Sequence, residues 1–151
     1  FSVPATMRLG NDLFFAEIER LLGEGSEVRF RIHGFSMRPL LRNGRDTVVV
    51  APRGEAPLRV LDIVLFRYRG RHVLHRIVRI EGDRLTLAGD GNYRIREQCS
   101  AADVAGVVRR VVRPSGREID CASRAWRRMS RCWLLLPPLV RRGILGVLAR
   151  L

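Results

Sequence analysis

Short β-branched runs, punctuated by turn residues, restrict what this chain can fold into. Val28–His33, Thr47–Ala51, Asp62–Tyr68, His72–Ile80, Leu85–Ala88 and Val104–Val112 each read as a strand. Gly70 and Gly82-Asp83 punctuate two of the junctions as hairpin turns. Regularly spaced short strands of this kind predict a mainly β body, a twisted antiparallel sheet or partial barrel. No internal repeat interrupts the pattern.

The flanks read differently. Asn11 and Asp12 supply an N-cap signal ahead of Leu13, Phe14, Ile18, Leu21 and Leu22, and Gly23 and Gly25 stop the pattern, so an N-terminal helix is expected over Asn11 to Leu22. After Pro114-Ser115-Gly116, Ser123 is placed to cap a helix with Trp126, Met129 and Trp133 on one face and Arg124, Arg127, Arg128 and Arg131 largely on the other. Pro137-Pro138 breaks it, and Val140, Ile144, Val147, Leu148 and Leu151 line a second helix. Its longest uncharged run, Cys132 to Val140, is nine residues, against the roughly 20 that cross a bilayer. Two readings of this C-terminal helical tail stay open: a basic amphipathic anchor lying on a membrane surface, or a cap on the domain's own core. The expected organisation is an N-terminal helical segment over 1–25, a β-rich domain over 26–114 and a basic amphipathic tail over 115–151.

Between the first two strands lies Gly34-Phe35-Ser36-Met37-Arg38-Pro39-Leu40-Leu41, followed by Asn43-Gly44-Arg45-Asp46. Gly34 lets the backbone bend just before the serine and Pro39 fixes φ just after it. Ser36 is thereby held on a short connection beside a strand edge, where a nucleophile must stand with a base in reach. The alternative is a turn serine bonded to its own backbone. All 28 basic residues are arginine and none is lysine. Arginine does not deprotonate in proteins, so a serine nucleophile here depends on His33, His72 or His75. His75 lies mid-strand in phase with Val73 and Ile77 and should face inward. His72, beside the Gly70 turn, should face solvent. An inward imidazole needs a partner on each ring nitrogen, which a serine and a carboxylate would supply. Leu87-Ala88-Gly89-Asp90-Gly91-Asn92-Tyr93 then closes a strand with a glycine-flanked carboxylate.

The ordered set resembles signal peptidase I of the endoplasmic-reticulum and archaeal type, which pairs serine with histidine where the bacterial type uses lysine. Ser36-Met37-Arg38-Pro39 resembles the nucleophile box and Leu61-Asp62-Ile63-Val64 the Gly-Asp-hydrophobic strand. Leu74-His75-Arg76-Ile77-Val78 resembles the base box and Gly89-Asp90-Gly91-Asn92 the final one. The similarity runs from about Gly34 to Val112 and implies a β-rich peptidase domain that takes an extended peptide as an added strand. By that resemblance Ser36 is the nucleophile, His75 the base and Asp90 the group orienting His75, with Glu97 or an unassisted Ser–His dyad as alternatives. Departures are Gly34, where relatives often carry an oxyanion-binding serine, Leu61 in place of glycine, and Arg96 where the eukaryotic enzymes place an aspartate. The likeness to LexA-like self-cleaving repressors is weaker, because those use a serine–lysine pair.

The net charge of +13 adds attraction to polyanions. Expected partners are an extended peptide or protein substrate and, peripherally, an anionic membrane. Nucleic acid is disfavoured, since no helix-turn-helix signature or aromatic-rich strand pair is present. Cys99, Cys121 and Cys132 are too scattered for a disulfide framework or zinc site, and no cofactor or metal is expected. The opening residues lack the apolar core of a signal peptide. The expected location is cytoplasmic, peripheral on the inner membrane face. The rival to a peptidase is a non-catalytic basic binding module on a peptidase-like fold.

Overall fold

The computed structural model describes residues 11–34, 36–54, 56–92 and 94–150, the side chains of Asn11 and Asp12 excepted. The N-cap signal at those two residues, Phe35 and Tyr93 of the two loop motifs, and Leu151 thus lie outside the described residues. In chain order the elements are α1 (Asn11–Gly23), β1 (Val28–Arg31), β2 (Thr47–Pro52), β3 (Ile63–Tyr68), β4 (Arg71–Glu81), β5 (Arg84–Ala88), β6 (Glu97–Ser100), β7 (Val104–Val112), β8 (Glu118–Asp120), α2 (Arg124–Leu135) and α3 (Pro138–Ala149). A single 3-10 turn, Ala101–Asp103, joins β6 to β7.

The strands form one eight-stranded sheet in the order β1-β2-β7-β3-β4-β5-β6, with β8 on β7, and every pairing is antiparallel. The sheet is open, ending at β1 and β6, so the expected antiparallel sheet is present without closure into a barrel. Together with the three helices it makes a mixed α/β fold. Bulges leave an extra residue in β7 at Arg109, opposite Val49 and Val50 of β2, and at Ala105, opposite Leu65 and Phe66 of β3, and in β4 at Val78, where they bend and twist the sheet. All six expected strands form; β6 and β8 are additions.

Both faces of the sheet centre are covered. On one, Ile18, Leu21 and Leu22 of α1 and Trp126 and Trp133 of α2 join Val28, Val48, Val50, Ile63, Leu65, Val108 and Val111 in a single core. On the other, Val64, Phe66, Ile77, Leu85, Leu87, Val104 and Val107 form a second core. A strand buried on both faces reads as a continuous apolar run, as Ile63-Val64-Leu65-Phe66 does. Residues of the N-terminal helix, the β body and the tail therefore meet in one cluster.

The helices refine three expectations. In α1 Leu13 is exposed, and Phe15 packs inward with Phe14 and Ile18 instead. In α2, capped by the Ser123 hydroxyl accepting from Trp126 N–H, the buried face is Trp126, Ser130 and Trp133, while Met129 is turned out. His72 does not face open solvent. Its ring stacks on Phe15 with centroids 4.8 Å apart, and its Nε2 lies 2.5 Å from Glu19. The turn-end position suggested exposure, but α1 lies over that end of β4.

Candidate active site

The serine loop is fixed from below by a buried carboxylate. Asp46 is fully buried; it accepts from Arg42 N–H at 2.9 Å and from Arg45 at 2.9 and 2.8 Å, and pairs with Arg113 at 2.6 Å. Burial alone would raise its pKa, but the bonds from Arg45, Arg113 and the Arg42 N–H outweigh that and hold it below 3.8. Above this anchor, Gly34 takes φ +97, in the region that favours glycine, and its N–H donates to Asn43 Oδ1. Met37, Leu40 and Leu41 plug the loop into the core. Ser36 is exposed, and among the described residues neither its hydroxyl nor its N–H makes a hydrogen bond.

A second turn closes on this loop. Gly91 N–H donates to Ser36 O at 2.7 Å. Gly89 touches both sides of the site: a Cβ there would lie 2.4 Å from Ser36 O and 3.0 Å from His75 Nε2. Only a residue without a side chain lets the Ser36 main chain and the His75 ring converge so closely. The register brings this about, because Arg76 pairs with Ala88 and the next step along the strands sets His75 against Gly89. The Ser36 main chain and the His75 ring thus both approach Gly89, and among the described residues no hydrogen bond joins the Ser36 hydroxyl to the imidazole.

His75 is buried as the strand phase foresaw. It is paired with Val64 across the β3–β4 ladder, 6.3 Å from the Phe66 ring. Burial drives its pKa down to about 4, so the ring is neutral at neutral pH. Its Nδ1 lies 2.8 Å from Glu97 Oε1, although the contact falls outside hydrogen-bond alignment and Glu97 Oε2 has no partner. Burial pushes the Glu97 carboxyl up from 4.5. Glu97 begins β6, paired with Leu87 of β5.

Asp90, expected beside His75, is placed elsewhere. Both of its oxygens receive Arg76, from Nε at 2.9 Å and Nη2 at 2.8 Å, while Arg76 Nη1 donates to Leu61 O at 2.8 Å. All of this is buried. A paired, forked guanidinium satisfies such a carboxylate fully. Trp133 Nε1 donates to Asp90 O at 2.9 Å, so α2 also holds the turn. Leu61 sits at φ +85, where glycine is favoured, and its N–H and carbonyl are taken up by Ile77 O and Arg76. His33 is exposed.

Sequence reasoning gave no role to Arg76 or Trp133 and left Glu97 as an alternative. Arg76 entered the sequence reading only as the neighbour of His75; in the fold it is fully buried and bonded to Asp90 and Leu61 O. Burial raises the thiols of Cys99 to about 11 and Cys121 to about 12, which leaves both protonated and poor nucleophiles. Among the described residues no His, Cys, Asp and Glu cluster could hold a metal ion. The chain matches no known family model, and no curated protein matches it.

Proposed function

We propose that this protein is a serine endopeptidase of the signal-peptidase kind, with Ser36 as nucleophile, His75 as base and Glu97, in place of Asp90, as the group that positions His75. The observation that carries the reading is the pose of His75. It is a buried neutral imidazole with Nε2 against Gly89, which the Ser36 main chain touches from its other side, and with Nδ1 2.8 Å from a carboxyl oxygen. A general base needs this protonation state, and hydrogen bonds in unliganded sites are often long until substrate tightens them.

In the proposed reaction, rotation of the exposed Ser36 side chain brings Oγ to His75 Nε2. Oγ attacks the scissile carbonyl carbon while Nε2 takes the hydroxyl proton, and the oxyanion is met by the free Ser36 N–H. The imidazolium then returns the proton to the leaving amine as the C–N bond breaks. Water, deprotonated by the same nitrogen, releases the acyl group and regenerates Ser36. Edge strand β1 leads into the Ser36 loop, which suits an extended peptide adding beside it.

A fluorophosphonate probe tests this without a known substrate. Wild-type protein should label at Ser36, and Ser36→Ala and His75→Ala should each abolish labelling while keeping the fold, the double variant being little worse than either. Labelling that survives in Ser36→Ala, or none in the wild type, would sink the peptidase reading and favour a binding module.

A further inference from the structure

The tail divides into two parts with different surroundings. α2 is seated on the core through Trp126 and Trp133, and the axis of α3 is bent by 111° from that of α2. Leu145 packs on the core, but Leu139, Val140, Ile144 and Val147 are exposed, and Leu135 at the end of α2 joins them. Leu139 is 79% and Val147 62% exposed. At helical spacing Leu139, Val140, Gly143, Ile144 and Val147 share one face, and the two glycines at 143 and 146 keep it flat. Scattered exposed apolar residues need no explanation; a contiguous face does.

Charge selects the occupant. From Cys121 to Leu151 the chain has seven arginines and no acidic residue. Arg124, Arg128, Arg131 and Arg142 are exposed and form no ion pair among the described residues. A second copy would bring two such surfaces together, arginine against arginine. An anionic lipid surface complements both the charge and the apolar face. The 12 residues of α3 rise only about 18 Å, too short for a hydrocarbon core of about 30 Å, and among the described residues no single helix is long and apolar enough to cross a membrane. α2 and α3 reach that length and apolarity only as a pair bent by 111°, and α2 is committed to the core through Trp126 and Trp133. We infer that the outer face of α3, with Leu135, is a monotopic seat that lies in the plane of an anionic membrane, flanked by the α2 arginines. This seat does not depend on Ser36 being a nucleophile.

Co-sedimentation of the full chain with vesicles tests it, comparing phosphatidylglycerol–phosphatidylcholine mixtures with phosphatidylcholine alone. Wild type should bind the mixed vesicles at least about tenfold better. L139E/V147E should lose binding by at least about tenfold with an unchanged melting temperature and unchanged fluorophosphonate labelling, since both positions are exposed. R124Q/R128Q/R131Q/R142Q should lose the preference for phosphatidylglycerol. No wild-type binding at low salt would overturn the inference, as would binding indifferent to L139E/V147E. A dimer that dissociates in L139E/V147E, without vesicle binding, would assign the face to a second copy instead.

Discussion

At the scale of single residues, the His75 imidazole is buried between a carboxyl and a glycine, and the two sides make different demands. Accepting a proton at Nε2 requires the tautomer with hydrogen on Nδ1, and Glu97 Oε1, 2.8 Å from Nδ1 though out of hydrogen-bond alignment, is the carboxyl that a small reorientation would bring to fix it. Glu97→Gln keeps the volume but removes the charge that supports the imidazolium. Labelling should slow by about 10²–10⁴-fold with little change in melting temperature, and Glu97→Asp should recover part of the rate. Asp90→Asn should behave in the opposite way. It leaves the buried Arg76 uncompensated, costing about 3–5 kcal/mol, and its effect on labelling should follow stability. Equal kinetic loss in both at equal stability would remove Glu97 from the site. Acid response follows from the same burial. With His75 lowered to about 4, the acid limb of the labelling rate should lie well below the ordinary 6.5 of histidine. The fold should lose stability as pH drops from about 6.5 towards 4, because the unfolded chain takes the proton first. Glu97, raised by burial, works against this: its contribution is present in acid and lost as pH rises through its folded value. A labelling rate that halves near 6.5 would show His75 to be more solvated than its position implies. His75 was legible because phase on a strand is a period-two signal. Glu97 was legible only as an alternative to Asp90, since Glu97-Gln98-Cys99-Ser100 has no β-branched residue to mark β6 as a strand.

At the scale of elements, the site depends on two loops that must touch. The β1–β2 loop brings Ser36, the β5–β6 turn brings Gly89 and Gly91, and β4 runs beneath with His75. Gly89→Ala places a methyl group 2.4 Å from Ser36 O, far inside contact distance, so one loop must move away. The strain expected of such overpacking is about 1–3 kcal/mol, which the fold can survive. The Gly91 to Ser36 hydrogen bond and the approach to His75 should not. Gly89→Ala should therefore stay folded by circular dichroism and lose fluorophosphonate labelling; full labelling would show that contact between the loops is dispensable. Here the sequence was informative in kind but not in partner. A glycine-flanked aspartate announced a close backbone approach, and that approach is Gly89 against Ser36. What the aspartate itself does depends on Arg76, whose buried pairing with it is a tertiary fact that strand alternation does not encode.

For the whole molecule, the open question from sequence was whether the arginine-rich tail caps the domain or anchors it, because an amphipathic helix looks the same either way. The packing separates the two helices. Trp126 and Trp133 are 3% and 6% exposed, and Trp133 also donates to Asp90 O, so α2 is part of the core that supports the site. Of the expected apolar line of α3, Val140, Ile144 and Val147 point outward, Leu148 is half-buried and Leu151 lies outside the described residues. Magnitudes then decide what truncation does. Losing a buried tryptophan costs about 3–5 kcal/mol, and domains of this size are stable by about 5–15 kcal/mol, so removing both should consume most or all of the margin. A chain ending at Ala122 should melt far lower or fail to fold, bind a hydrophobic dye, and lose labelling as the Asp90 turn loosens. A chain ending at Pro137 loses the partial packing of Leu145 and the half-buried side chains of Arg141 and Leu148, so its melting temperature should fall by a few degrees and its labelling should persist. Thermal melts and probe labelling of the two truncations side by side make the comparison. If the Ala122 form melts like the full chain, α2 is not the cap its tryptophans indicate; if the Pro137 form unfolds, α3 belongs to the core and its outer face is not free to seat on lipid.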